Sequence, residues 1–249
     1  IYMIVSNSFK PTLLIRKMPP QFFFPLTLQH YVKILKQGNF LSYFGNSFII
    51  AMSTTVISIV LGSLAAYGLA IMKSNWGNRI STFLLFSKLV PTITIMIPLY
   101  IILDKVHLLG TYVGPILAHV SVNAPFVAWL VLGFIRDIPG DLFEAGKLDG
   151  CTRMQVFWKI VFPLLSPAIG SALLLVMQYS WNELLFSMQY TNLHTYTLTV
   201  GVSRFVGAIS VDWGQSSAAA TIVMVPIIIA GFFLQKYLVS GLTAGAVKG

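Results

Sequence analysis

The sequence predicts an all-α protein of the lipid bilayer, and three observations predict it. Of 249 residues, 56% are hydrophobic and 9% charged, with a mean hydropathy of +0.81; soluble chains carry about 25% charged residues. A chain this apolar cannot cover its surface in water, whereas helices in lipid satisfy every backbone donor and acceptor internally. Apolar runs near the roughly 20 residues that cross a membrane recur along the chain between short polar turns. One sizeable polar interval, 137–167, interrupts the second half and holds Asp137, Asp141, Glu144 and Asp149, four of the seven acidic residues. A single membrane domain, 1–249, fits the length.

Residues 1–9 are apolar but too short to cross. The chain opens at IYMIVSNSF without an initiator Met, so they are expected to end a first span that is largely truncated. Lys10-Pro11 stops this fragment, and 10–43 form a loop with Pro19, Pro20 and Pro25, several aromatics and a helical patch near 28–36. The first complete span is expected at 44–72. Ser58, Gly62, Ala66 and Ala70 recur every fourth position there, a row that lets helix backbones approach closely. The second, 80–103, carries Pro91 and Pro98, which free the carbonyls of Ser87 and Thr94. It also carries Lys88, the one basic residue well inside an expected span. The third, 112–134, places His119 and Asn123 on one face at i and i+4, beside Pro125. The fourth, 168–188, is unusually polar from Gln178 to Glu183. A loop at 189–215 with a helix-like stretch at 200–205 leads to the last span, 216–239, and a tail, 240–249. The expected total is six spans, five of them complete.

The net charge of +9 comes from single basic residues scattered along loops, without a basic-aromatic patch for nucleic acid. Lys73, Arg79, Arg136, Lys147, Arg153, Lys159, Lys236 and Lys248 fall on one side and seven basic residues on the other, too even for the positive-inside rule to orient the chain. The single cysteine, Cys151, excludes an internal disulfide and any CxxC site.

The polar interval reads as two helices. Pro139 suits a first helical turn. Asp141 and Glu144 lie near the positive end of the helix dipole and Lys147 near the negative end. Asp149-Gly150 reads as a stop with Gly150 in the left-handed region. This gives a two-turn helix at 140–148 with Leu142, Ala145, Gly146 and Asp149 on one face. At Ala145 and Gly146 another surface is expected to approach the backbone. An amphipathic helix at 152–162 follows, closed by Pro163 and Pro167. A short helix pinned between spans suits docking into a groove of a soluble partner; a hairpin lying on lipid headgroups is the alternative.

The interval also carries a resemblance. Glu144-Ala145-Gly146, three residues, Gly150, nine residues, then Ile160-Val161-Phe162-Pro163 resembles the EAA loop of ATP-binding-cassette (ABC) importer permeases, with Gly146 in place of the third Ala and Phe162 in place of Leu. Ser180-Trp181-Asn182-Glu183, Pro91 with Pro98-Leu99-Tyr100, Asp212-Trp213-Gly214 and the ending GLTAGAVKG are similar to the carbohydrate branch, of maltose type, and within it to the smaller permease subunit. The resemblance implies a type I importer transmembrane fold in the plasma membrane, the bacterial inner membrane. It implies a homologous partner permease, a dimer of ATPase subunits that uses ATP and Mg, and an extracytoplasmic solute-binding protein. It also makes 137–167 a cytoplasmic coupling loop, with Leu142, Glu144, Ala145, Gly146, Asp149, Gly150, Ile160 and Pro163 as ATPase-coupling residues and 243–248 near the same interface. The cargo it implies is a sugar, polyol or related small carbohydrate; a permease for another small solute that shares only the loop is the alternative.

Polar groups inside a membrane usually face a bundle interior or wet cavity. Gln178 and Asn182, with Tyr179 and Glu183 in the adjacent row, are expected to form one continuous polar face offering the donors, acceptors and aromatic plate that sugars need. Lys88 is expected to contact substrate, pair with Glu183 or a residue of a partner, or snorkel; Asn123 and His119 are weaker path candidates. Trp181 points elsewhere and is expected to pack. No nucleophile–base set, metal-ligand spacing or phosphate-binding Gly-rich loop appears, so catalytic, metal and cofactor sites are not expected in this chain.

Overall fold

The structure is a computed structural model that describes residues 1–36, 39–72, 76–205 and 212–246, with the backbone alone for 234 and 236–246. Lys73 of the expected polar turn and 247–249 of the expected tail lie outside the described residues. In order, the helices are α1 (Tyr2–Ser8), α2 (Thr12–Ile15), α3 (Gln29–Lys36), α4 (Phe40–Ala70), α5 (Trp76–Ser87), α6 (Thr92–Lys105), α7 (Val113–Arg136), α8 (Gly140–Leu148), α9 (Arg153–Val156), a π-helical segment (Phe157–Val161), α10 (Phe162–Leu164), α11 (Ser166–Asn182), α12 (Leu185–Tyr190), α13 (Leu198–Ser203) and α14 (Trp213–Ala246).

The centre of the bundle is the pair α4 and α7. The small-residue row on α4 makes this pairing close. A Cβ on Gly62 would lie 2.6 Å from Val127 Cβ and 3.0 Å from the Ala124 carbonyl oxygen, so only glycine fits there. Ser58, Gly62 and Ala66 are buried along this seam. α11 packs beside α4 and α7, and α14 beside α11, with α1 and α3 laid against α14. Trp181 is buried as expected, donating its indole N–H to the Val223 carbonyl at 3.0 Å and meeting Phe44 edge-on, which joins α11 to α14 and α4.

Three helices, α4, α7 and the 213–233 part of α14, are long and apolar enough to cross a membrane, and the number rises to five only if two bent pairs each count as one span. Among the described residues there are thus three to five apolar helices of membrane length, the upper figure being the number of complete spans expected. The second expected span is broken: α5 and α6 meet at 94° across Lys88–Pro91. Proline at 91 has no N–H for the Ser87 carbonyl and its ring excludes a continuing helix, so α5 stops at Ser87. The fourth expected span is also interrupted. α11 ends at Asn182, Glu183 turns extended (φ −69°, ψ 128°), and α12 starts again at Leu185. Upstream, the run Arg153–Leu164 bends by 77° into α11. The expected helix at 152–162 is split as well. Thr152 and Gln155 cap it reciprocally, then five residues widen to π geometry before Pro163, which withholds the donor an α turn would need.

The two ends of the bundle are distinct. Tyr67 Oη donates to the Arg153 carbonyl at 3.0 Å, placing the end of α4 at the polar interval. At the other end Asn46 donates to the carbonyls of His194 and Tyr196 at 2.9 and 3.0 Å and accepts from Tyr112 Oη at 2.8 Å. There α14 begins under a strap formed by the 10–36 segment. The His30 ring lies so close to Gly214 that an added Cβ would stand 2.0 Å from Cε1. Asp212 caps α14 by accepting from the Gln215 backbone N–H at 3.0 Å and side-chain amide at 2.6 Å. Burial pushes the Asp212 carboxyl up, but the Gln215 donors, with His30 and Lys33 nearby, outweigh this and hold it below the usual carboxylate range. A lowered folded value means the cap stabilises above the ordinary carboxylate pKa of about 3.9 and is lost as pH falls through the folded value. Thermal unfolding of the wild type is expected to become easier below about pH 4, and an Asp212→Asn variant should show a shallower acid dependence.

Candidate functional site

Two sites are built at opposite levels of the bundle. The first is the loop. α8 spans Gly140–Leu148, as its charge and stop signals require: Pro139 is extended at the N-cap, Asp141 lies in the first turn and Lys147 in the last. Gly150 takes φ +78°, a left-handed position natural to glycine. Its N–H bonds the Lys147 carbonyl at 3.0 Å, and Cys151 N–H bonds that of Gly146 at 3.0 Å.

α8 presents three faces. Gly146 is turned inward, where an added Cβ would meet Ile160 Cδ1 at 2.7 Å and Val156 Cγ2 at 3.1 Å. The close approach expected from a second surface is thus made by the loop's own second half. Because the nearest atom is the free end of a flexible side chain, alanine is accommodated here by a small swing of Ile160. Phe143, Glu144 and Lys147 line a groove of 370 Å³ against the ends of α4 and α7. Leu142, Ala145, Leu148 and Asp149 form the third, exposed face. Leu148 is 88% exposed, and sequence reasoning passed over it. The signal was available: Leu148 lies three positions after Ala145, which the sequence already placed on the contact face. Ile160 is half-buried and Pro163 exposed at the end of the π segment.

The second site is polar and lies where the broken helices meet. Lys88, at the α5–α6 break, donates to Asn123 Oδ1 at 3.2 Å; its ammonium stands 4.5 Å from the Tyr179 ring centroid and 5.3 Å from that of Phe126. Asn123 in turn donates to the His119 carbonyl at 2.7 Å. One cation therefore gathers α7, α11 and the break. Of the alternatives for Lys88, the pair with Glu183 is not formed. Glu183 instead faces His119 Nε2 at 3.2 Å, and His119 Nδ1 lies 2.7 Å from Ser180 Oγ. Its carboxylate also accepts from the N–H groups of Phe186 and Ser187 at 2.9 and 3.0 Å.

Glu183 thus caps α12 in a buried position, and its backbone carbonyl accepts from Thr199 Oγ1 at 2.9 Å. The continuous polar face expected on the fourth span is split by this turn. Gln178 and Asn182 remain exposed, joined by a 2.8 Å bond from Asn182 Nδ2 to the Gln178 carbonyl, while Glu183 points inward. With Leu175 and Tyr179 they border an open cleft of 460 Å³. Ser180 and Ser187, which complete the Glu183 network, were missed by sequence reasoning; their spacing of three and four residues from Glu183 is a capping pattern interrupted by the helix break.

The family described as binding-protein-dependent transport system inner membrane component matches residues 58–244. The chain belongs to that family. It is a transport permease, not an enzyme, and works as a subunit of an ABC importer whose ATP is hydrolysed by a separate subunit. The permease is 34% identical to the trehalose/maltose transport system permease protein of Thermococcus litoralis over 250 residues, covering 99% of this chain and 89% of that one. It is 34% identical to the trehalose transport system permease protein of Mycobacterium tuberculosis over 251 residues, covering 99% and 90%. Among solved structures, a bacterial ABC transporter involved in the import of the acidic polysaccharide alginate superposes with a TM-score of 0.81 at 19% identity, covering 94% of the permease and 88% of that chain. That likeness establishes the fold: an all-α, multi-pass membrane domain.

Proposed function

We propose that the permease moves a sugar, polyol or related small carbohydrate across the plasma membrane, and that α8 receives the driving motion from the ATPase subunit on the cytoplasmic side. A homologous second permease, an ATPase dimer and a solute-binding protein complete the importer. The observation that carries the coupling half is the free stripe Leu142, Ala145, Leu148 and Asp149. Its apolar side chains stand in the open, Leu142 at 40% and Leu148 at 88% exposure, and the described residues leave them uncovered. Glu144, Gly150, Gly146, Ile160 and Pro163 hold that stripe in place.

The carbohydrate half rests on the near full-length relatives and on the cleft. Gln178 and Asn182 offer amides beside the Tyr179 ring, with Lys88 and Asn123 behind it, the mixture of apolar and polar groups by which small polar ligands are held. Glu183 supports this wall from behind through His119. A maltose-type cargo is the narrowest form of the proposal, favoured by the 180–183 and 241–249 segments.

Leu148→Asp tests the coupling half. A truncated interface anchor costs about 2 kcal/mol or more, so solute uptake and solute-stimulated ATP hydrolysis should both fall by roughly thirtyfold. The protein should still reach the membrane in normal amount, and Leu148→Met should restore both activities. Wild-type uptake by Leu148→Asp would refute the docking stripe.

A further inference from the structure

The groove beside α8 lies on a face of that helix other than the exposed Leu142–Leu148 stripe. Its wall is apolar, built from Ile71, Ile135, Ile138 and Phe143 at the ends of α4 and α7 and on α8. Its rim carries three cations, Arg136, Lys147 and Arg153, against one carboxylate, Glu144. None of the three cations is ion-paired to a carboxylate among the described residues. The level of the groove is marked independently. Trp76 is exposed with the Arg79 guanidinium 5.6 Å from its ring, and the neighbouring Asn78 accepts from Arg136 at 2.5 Å. An exposed tryptophan stacked with arginine at the end of a span is the arrangement of a membrane–water interface. An apolar slot opening beside the spans, with a cationic rim at headgroup height, matches a lipid whose head is anionic.

We propose that this groove binds an acidic phospholipid of the leaflet on the loop side, with Lys147 and Arg153 holding its phosphate and the Ile71–Phe143 wall receiving the start of an acyl chain. Attraction of anionic lipid amounts to about a fivefold gain in affinity per basic residue near the surface. Arg136 is partly committed to Asn78, which leaves Lys147 and Arg153 as the principal anion contacts. The Tyr67 hydroxyl bonds the Arg153 backbone, so that side chain leaves from a fixed point. A lipid seated here touches α4, α7 and α8 together, and sets the angle at which the coupling helix leaves the bundle.

The test is lipid retention by the assembled importer, purified with its partner subunits and read by native mass spectrometry after equilibration in nanodiscs of phosphatidylcholine with or without phosphatidylglycerol. The wild type and a Lys159→Gln control, which neutralises a loop cation outside the groove, should retain phosphatidylglycerol over phosphatidylcholine. The double variant Lys147→Gln/Arg153→Gln should lose roughly thirtyfold in affinity for it. Lys147→Arg/Arg153→Lys keeps the charges and should retain the lipid. Equal retention by the double variant and the wild type would overturn the proposal, and so would equal retention of the two lipids. Displacement of the lipid by inorganic phosphate at equal headgroup concentration would reduce the site to a free-anion site. Binding that appears only after the ATPase subunit is stripped away would assign the groove to protein. Both of these results also overturn it.

Discussion

Replacing Glu183 by alanine is expected to destabilise the membrane domain by about 2–6 kcal/mol, the cost of leaving two buried helix donors without their acceptor. The carboxylate holds two roles at once. It pairs with His119 from α7, and it accepts from the Phe186 and Ser187 N–H groups that open α12. Alanine leaves those helix donors without an acceptor in a dry region, where each orphan costs about 1–3 kcal/mol. Glutamine should fall between, because its single carbonyl oxygen replaces two acceptor oxygens and its NH2 group confronts donors. Thermal unfolding of the purified importer in detergent checks the order wild type, Gln, Ala. An alanine variant that melts with the wild type would remove the structural assignment of Glu183.

Replacing Lys88 by methionine should do the opposite to stability and more to transport. The ammonium sits at the α5–α6 break against two aromatic faces and one amide oxygen, while Glu183 is engaged by His119. An ammonium away from water and without a counter-charge is costly, so methionine should leave the melting temperature unchanged or raise it. Uptake should nevertheless fall at least about tenfold, the effect of losing one charged hydrogen bond to a passing solute. Asn182→Ala should lower it less, since Asn182 is exposed and bonds only its own helix. Wild-type uptake and solute-stimulated ATP hydrolysis in Lys88→Met would remove the cleft from the translocation path.

How far each element was legible depended on the distance over which its cause acts. α8 was readable to its ends because its causes are local: Pro139, the two end charges and the left-handed Gly150 act within twelve residues. The close α4–α7 seam was readable for the same reason, through a four-residue period. The breaks were not. Pro91 announces a weakened helix, but whether the chain kinks or turns through 94° depends on what Lys88 finds on α7 and α11. Nothing in the order Trp181-Asn182-Glu183-Leu184 says that Glu183 leaves the helix. That follows from His119, 64 positions earlier, waiting inside. Gly146 was legible as small but not as inward, because its neighbour Ile160 lies beyond the turn.

The Gly146–Ile160 contact has a mechanical consequence. A nine-residue helix is about 14 Å long, and this contact grips it near its C-terminal end, close to exposed Leu148. The two halves of the loop are therefore linked, and a push on Leu148 passes to the second half through the Ile160 contact. Ile160 belongs to the π turn, whose bonding pattern differs from that of the helices on either side. Load applied at the tip is thus delivered to the π segment, one turn before the bend into α11 and the wall that carries Tyr179.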